Sequence, residues 1–192
     1  NDIFKAFDNG KPLGELGIVR NGMKTGDNES FIRLWWEIAF NKMNSKAENY
    51  IEAVESGAKW FPYNKGGEFR KWYGNNEWVV NWENEGDSVI GQAKKDGRHV
   101  QDYPNNMKFL PAVSWSLITT NKPSFRYKQY HISDIAGMSL YAKRSAIIDA
   151  IGLLNTNVAL DILNILAPTI NFQAGDIARI PYISPKEDVQ DL

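Results

Sequence analysis

Trp60-Phe61-Pro62-Tyr63-Asn64-Lys65-Gly66-Gly67-Glu68-Phe69-Arg70-Lys71-Trp72-Tyr73-Gly74-Asn75 interleaves aromatics, cations and glycines with hardly any aliphatic residue. Such a composition suits a contact surface. Glycines let a backbone approach a partner closely, Lys and Arg match phosphates or base edges, and Trp and Tyr offer flat faces for stacking. The same residue types also fit a hairpin carrying ordinary aromatic core residues.

Outward from this segment the chain alternates short strands with a few helices. Downstream, Glu77-Trp78-Val79-Val80-Asn81-Trp82 reads as a strand, followed by a turn at Asn84-Glu85-Gly86-Asp87. Leu110 to Ile118 and Phe125 to Tyr130 read as further strands around a loop at Thr120-Asn121-Lys122-Pro123, whereas Ser88 to Tyr103 has weak periodicity. Upstream, Ser45 to Gly57 reads as a helix, with Ser45 as cap, Glu48 three residues on, and a stripe of Ala47, Tyr50, Ile51 and Val54. Phe31 to Ile38 fits a period of two and also a helical stripe; its aromatics favour a strand. Gly14, Gly17, Gly22 and Gly26 punctuate an opening of short strands and turns. The last third changes character: Ile147 to Leu154 and Val158 to Leu166 are aliphatic and helix-like, broken at Asn155-Thr156-Asn157 and stopped by Pro168. Mixed strands first and a late helical pair predict an α+β domain spanning residues 1–192.

At 192 residues, 43% hydrophobic and 12% aromatic, the chain can bury a substantial core without disulfides. It has no cysteine, which excludes thiolate zinc and redox sites. No stretch approaches the roughly twenty apolar residues of a membrane span. The start, Asn1-Asp2-Ile3-Phe4-Lys5, lacks a signal-peptide core, so no membrane partner is expected, and the lack of cysteine is compatible with a reducing, cytoplasmic location. Because it begins without Met, the chain is read as a piece of a longer protein, with processing of a small precursor as the alternative. The formal charge of −1 argues against a tight, autonomous nucleic-acid binder. Distribution matters more: Lys59, Lys65, Arg70 and Lys71 face only Glu68 in their window, while Glu48, Glu52 and Glu55, then Glu77, Glu83, Glu85 and Asp87, form acidic clusters. That segregation predicts one basic and one acidic face, against the plainer reading of ordinary solvated charges.

Three ordered motifs carry a resemblance over nearly the whole chain. Lys65-Gly66-Gly67 through Arg70-Lys71-Trp72-Tyr73-Gly74-Asn75 resembles a K-G-G-x-x-R-K-W-Y-G-N segment. Gly22-Met23-Lys24-Thr25-Gly26-Asp27-Asn28-Glu29-Ser30-Phe31 resembles G-x-x-T-G-D-N-x-x-F, and Pro168 to Pro181 resembles P-T-x-N-F-x-x-G-D-I-x-x-I-P. All three are similar to motifs of bacterial adenine-specific DNA methyltransferases: the PglX family of BREX phage-defence systems and related type II restriction-modification enzymes. The resemblance implies the target-recognition region that follows the catalytic domain. It further implies double-stranded DNA and the catalytic methyltransferase domain of the same parent chain as partners, with other defence-system subunits as further candidates.

Catalytic chemistry is not legible in these residues. An adenine methyltransferase needs a glycine-rich turn for S-adenosylmethionine and an Asn- or Asp-Pro-Pro-aromatic motif for the flipped base. Neither occurs in the 192 residues, so no catalytic residue, cofactor or metal is assigned here; the resemblance implies that S-adenosylmethionine belongs to the catalytic domain of a parent chain. His99 and His131 are isolated from carboxylates at metal spacing, and no Gly-x-Ser-x-Gly elbow is present. The DNA-binding candidates are Lys65, Arg70 and Lys71, then Tyr63 and Tyr73 as stacking groups. Lys24 and Thr25 are phosphate contacts on one reading and parts of a structural turn on the other. Lys122 sits in a predicted loop, and Arg126 and Lys128, two apart, point to one side of a strand and extend the basic face. The reading from another class is a protein-interaction module that docks defence-system subunits.

Overall fold

A computed structural model describes residues 2–98, 101–120 and 122–184. His99 lies outside the described residues. The described strands are β1 (Lys11–Pro12), β2 (Gly17–Arg20), β3 (Ile32–Leu34), β4 (Trp60–Asn64), β5 (Trp78–Asn81), β6 (Ala112–Ser116), β7 (Arg126–Lys128), β8 (Ile132–Ser133), β9 (Gly137–Ala142) and β10 (Pro181–Tyr182). The described α-helices are α1 (Asp2–Asn9), α2 (Asn28–Phe31), α3 (Tyr50–Glu55), α4 (Asp87–Lys95), α5 (Arg144–Leu154), α6 (Asn157–Leu166) and α7 (Ala174–Ala178). The fold is α+β, as its order of elements predicts.

The first sheet, in the order β2-β9-β6-β7, is antiparallel throughout. Side chains alternate across it. On one face Val113 and Trp115 of β6 and Met138 and Leu140 of β9 meet Ile147, Ala150 and Leu154 of α5 and Ile162 and Leu163 of α6. The second sheet runs β3-β5-β4-β8, antiparallel except for the β4–β8 pair. Its Phe61, Tyr63, Val80 and Ile132 share a second apolar cluster with Ala112 and Tyr141 from the opposite face of the first sheet.

Between the sheets lies a polar seam. Asn64, at the end of β4, donates through Nδ2 to Ser114 Oγ of β6 and to Gly137 O at 3.0 Å, while its Oδ1 accepts from Gly66 N. Ser114 Oγ donates onward to Met138 O at 2.7 Å. Ser133 Oγ lies 3.0 Å from Ser139 Oγ and 2.8 Å from Tyr141 OH. Small residues allow this approach: a Cβ built on Gly137 would sit 2.1 Å from the Asn64 carbonyl oxygen.

Several expectations need correcting. Helix α3 starts at Tyr50, not near Ser45, because Met43 pairs with Trp60 and Lys46 N bonds Asn44 Oδ1, which commits that segment to extended and turn backbone. Asn49 is the cap and accepts from Glu52 N at 3.0 Å. The Phe31 to Ile38 strand shortens to β3, since Trp35 to Glu37 turn into a 3-10 helix. The opening holds α1, and α4 takes up Ser88 to Lys95 of the weakly periodic stretch. Among the described residues no single helix is long and apolar enough to cross a membrane; α5 and α6 together are bent by 80°.

Two glycine substitutions test this layering. Gly137→Ala forces a methyl into the seam and should destabilise the protein by about 3 kcal/mol. Gly152→Ala, in α5 with nothing within 4 Å of the new methyl, should stabilise it by about 0.5 kcal/mol. Urea denaturation of both variants measures the contrast.

Candidate nucleic-acid interface

The basic and aromatic segment forms a loop between β4 and β5, laid along β7. Trp72 N donates to Phe125 O at 2.9 Å and Tyr127 N donates to Trp72 O at 2.8 Å. The loop reverses at Gly74, whose φ of 129° lies where a side chain is strained. Asn75 Nδ2 closes it on Glu68 O at 2.9 Å.

What holds this loop down is cationic and internal. Arg126 and Lys128 do project to one side of β7, but that side faces inward, on the same face as their register partners Ser114 and Ala112. Both are buried, so the expected extension of a basic surface is corrected: neither is presented to a partner. Lys128 Nζ donates to Gly74 O at 2.8 Å, to Asn75 O at 2.6 Å and to Asn76 Oδ1. Arg126 Nη1 donates to Arg70 O and Ser124 O, both at 3.3 Å, and to Ser124 Oγ; its Nη2 donates to Ser116 Oγ. Burial, and after it the Arg126 charge, pulls Lys128 down to about 7. Burial, then Arg70, lowers Arg126 to about 10. Two interior cations thus serve as hydrogen-bond hubs for the carbonyls of an irregular loop.

Tyr63 and Thr25 are interior too. Tyr63 OH donates to Asp134 Oδ2 at 2.7 Å, and burial followed by Asp134 raises its pKa. Lys65 Nζ lies 3.7 Å from the same carboxylate, so the first two motifs meet at Asp134, beside Met23. Thr25 Oγ1 donates to Asn28 Oδ1 at 2.9 Å, and Asp27 caps α2 by accepting from Ser30 N at 3.0 Å. Those bonds fold the Gly22 to Asn28 segment into a turn that leaves Lys24 exposed. In the third motif, Phe172 and Ile177 are buried and Gln173 N donates to Asp176 Oδ2 at the start of α7.

The exposed candidates are Lys24, Arg70, Lys71, Tyr73 and Lys122. Lys71 and Lys122 line one cleft of about 180 Å³ with Thr156 and Asn157, where α6 begins, and Lys71 Nζ donates to Asn155 O at 2.8 Å. A helix start favours negative charge, as do two ammonium groups beside it. Charge segregation is not observed as expected: Arg70 pairs with Glu77 and Lys59 with Glu83, each at 3.4 Å, so members of the acidic clusters lie against the basic ones. Sequence reasoning missed a second cleft, of about 300 Å³, walled by Trp35, Tyr73, Trp78, Tyr127 and Tyr130. Its aromatics come from separated segments, so no local motif signals it.

Buried His131 bonds Ser133 Oγ through Nε2 at 3.1 Å, while its Nδ1 has no partner among the described residues. Burial, then the Lys128 charge, lowers its pKa to about 3.

No family model matches the chain. It is 36% identical over 173 residues to the adenine-specific methyltransferase PglX of Lacticaseibacillus casei (strain Zhang), an alignment covering 88% of this chain and 14% of that protein. It is 27% identical over 171 residues to the adenine-specific methyltransferase BrxX of Escherichia coli O9:H4 (strain HS), covering 87% of this chain and 13% of that protein. The chain therefore matches a part of such methyltransferases, spanning 14% and 13% of their lengths.

Two predictions follow from the buried groups. Lys128→Met leaves the carbonyls of Gly74 and Asn75 without their donor and should cost about 2 kcal/mol in urea denaturation. For His131 the unfolded value of about 6.5 exceeds the folded one, so the unfolded chain binds more protons between these values and stability falls as pH drops through that window. His131→Gln should lose less stability than the wild type between pH 6.5 and pH 3, measured as the difference in urea midpoints.

Proposed function

We propose that this chain is a DNA target-recognition domain, residues 1–192, of a longer S-adenosylmethionine-dependent adenine-specific DNA methyltransferase in a BREX or restriction-modification defence system. On this reading it has no catalytic residue of its own. It grips double-stranded DNA and selects the sequence, while a catalytic domain of the same parent chain holds S-adenosylmethionine and methylates adenine. The observation that carries the reading is the convergence of Lys71 and Lys122 beside the start of α6, in a chain that aligns over most of its length with a part of adenine-specific methyltransferases. Exposed Arg70, and Lys24 on the first motif, add phosphate contacts. The interior positions of Arg126, Lys128, Tyr63 and Thr25 give them the role of shaping the surface rather than touching the duplex.

A second reading, a module that docks other defence-system subunits, draws on Trp36 and Phe40, which are 55% and 75% exposed. DNA footprints of the full-length protein separate the two, because a docking module leaves the protected bases unchanged when the basic loop is mutated.

In the full-length protein, Arg70→Ala combined with Lys71→Ala should weaken duplex binding and reduce the slope of log K against log salt by about 2, near 0.9 for each lost phosphate contact. Unchanged affinity and slope would remove these residues from the interface.

A further inference from the structure

The cleft of about 300 Å³ beside the basic loop is at the small end of ligand pockets, which run roughly 300–1,000 Å³, and it suits one ring system rather than a stacked pair. Tyr73, 72% exposed, stands at it from the loop, and Trp35 from the turn after β3, held edge-on to Trp36. Tyr127 and Tyr130 contribute further aromatic surface from β7 and the turn after it. Flat aromatic faces around a small cleft stack a planar ring of any base and do not by themselves choose among them.

The polar groups do choose. Asn76 Oδ1 already accepts from Lys128 Nζ, and Gln129 Oε1 accepts from Tyr127 OH at 2.7 Å. With both amide oxygens engaged, each side chain has its NH₂ group left to offer, without a partner among the described residues. The Lys128 ammonium lies behind them, and among the described residues no carboxylate lines the cleft. Donors and positive charge match a ring edge that carries carbonyl acceptors. They oppose an edge that carries an amino group, as adenine's does.

We infer that this cleft binds a single unstacked nucleobase bearing ring carbonyls, thymine above all, by stacking on Tyr73 and Trp35 and accepting hydrogen bonds from Asn76 and Gln129. As a site for a base drawn from a DNA strand, the inference rests on the DNA-binding reading above. As a site for a free nucleotide, it does not.

The test uses the full-length protein, with thymidine 5′-monophosphate and deoxyadenosine 5′-monophosphate titrated by calorimetry. In parallel, duplexes that are fully paired, or that carry one bulged thymine or one bulged adenine, are compared at one salt concentration. A thymine preference of about tenfold over adenine is expected in at least one arm. Tyr73→Ala should lose about five- to hundredfold of that binding, Tyr73→Phe should retain it, and Gln129→Glu, which exchanges a donor for an acceptor, should shift preference towards adenine. Selective binding of the bulged duplex assigns the cleft to a base extruded from DNA, and selective binding of the monophosphate assigns it to a free nucleotide. Both outcomes support the site. Equal binding of bulged and paired duplexes with no heat from either nucleotide overturns it, as does an adenine preference that Tyr73→Ala removes or a thymine binding that Tyr73→Ala leaves unchanged. Failure of the paired duplex to bind would count against the DNA-binding reading alone, since the nucleotide titration still reads the cleft.

Discussion

One carboxamide joins the two sheets. Asn64 is nearly inaccessible to solvent and reaches from the end of one sheet to Ser114 and Gly137 in the other, while its own oxygen accepts from the first glycine of the loop. A polar side chain buried at that depth is tolerated only when its hydrogen bonds are met, and here they are met by three separate segments. The seam in turn fixes the rest. The apolar helices cover the far face of the first sheet, the aromatic cluster fills the space beside the seam, and the basic loop leaves the fold directly from Asn64. Placement of the candidate surface is therefore a consequence of how closely the sheets approach.

The loop itself is too irregular to satisfy its own backbone. Lys128 gathers the carbonyls of Gly74 and Asn75, and Arg126 gathers those of Arg70 and Ser124. Burying two cations without a carboxylate in direct contact is costly, and the lowered pKa of each expresses that cost. Its return is a loop held rigidly enough to present Arg70, Lys71 and Tyr73 outward. Much of what makes the motif recognisable is thus scaffold: Gly74 and Asn75 shape the turn, while fewer side chains are available to a partner.

The elements with strong apolar periodicity were legible: β5, β6, α5 and α6 lie where their patterns put them, and Thr156 caps α6 inside the predicted break, accepting from Ala159 N at 3.1 Å. Strand β9 was not assigned, although Met138 and Leu140 alternate with Ser139 and Tyr141, because serine and glycine dilute the strand signal. Those small residues are what let the sheets close. For the site, the two-residue spacing of Arg126 and Lys128 correctly put them on one face, yet sequence could not say that the face was inward; charged residues are usually exposed. Nor could it bring Trp35 beside Tyr127, or Lys122 beside Lys71, since each pair is joined only by tertiary packing.

Internal cations and a polar seam hold an outward-facing basic and aromatic loop, the surface proposed to meet double-stranded DNA. Amide hydrogen exchange of the full-length protein, with and without duplex, tests that claim most directly. The account predicts that DNA slows exchange in residues 66–76 and in the segment around Lys122, while the already protected seam strands stay unchanged. Unaltered exchange in both segments, with protection confined to other parts of the bound protein, would contradict it.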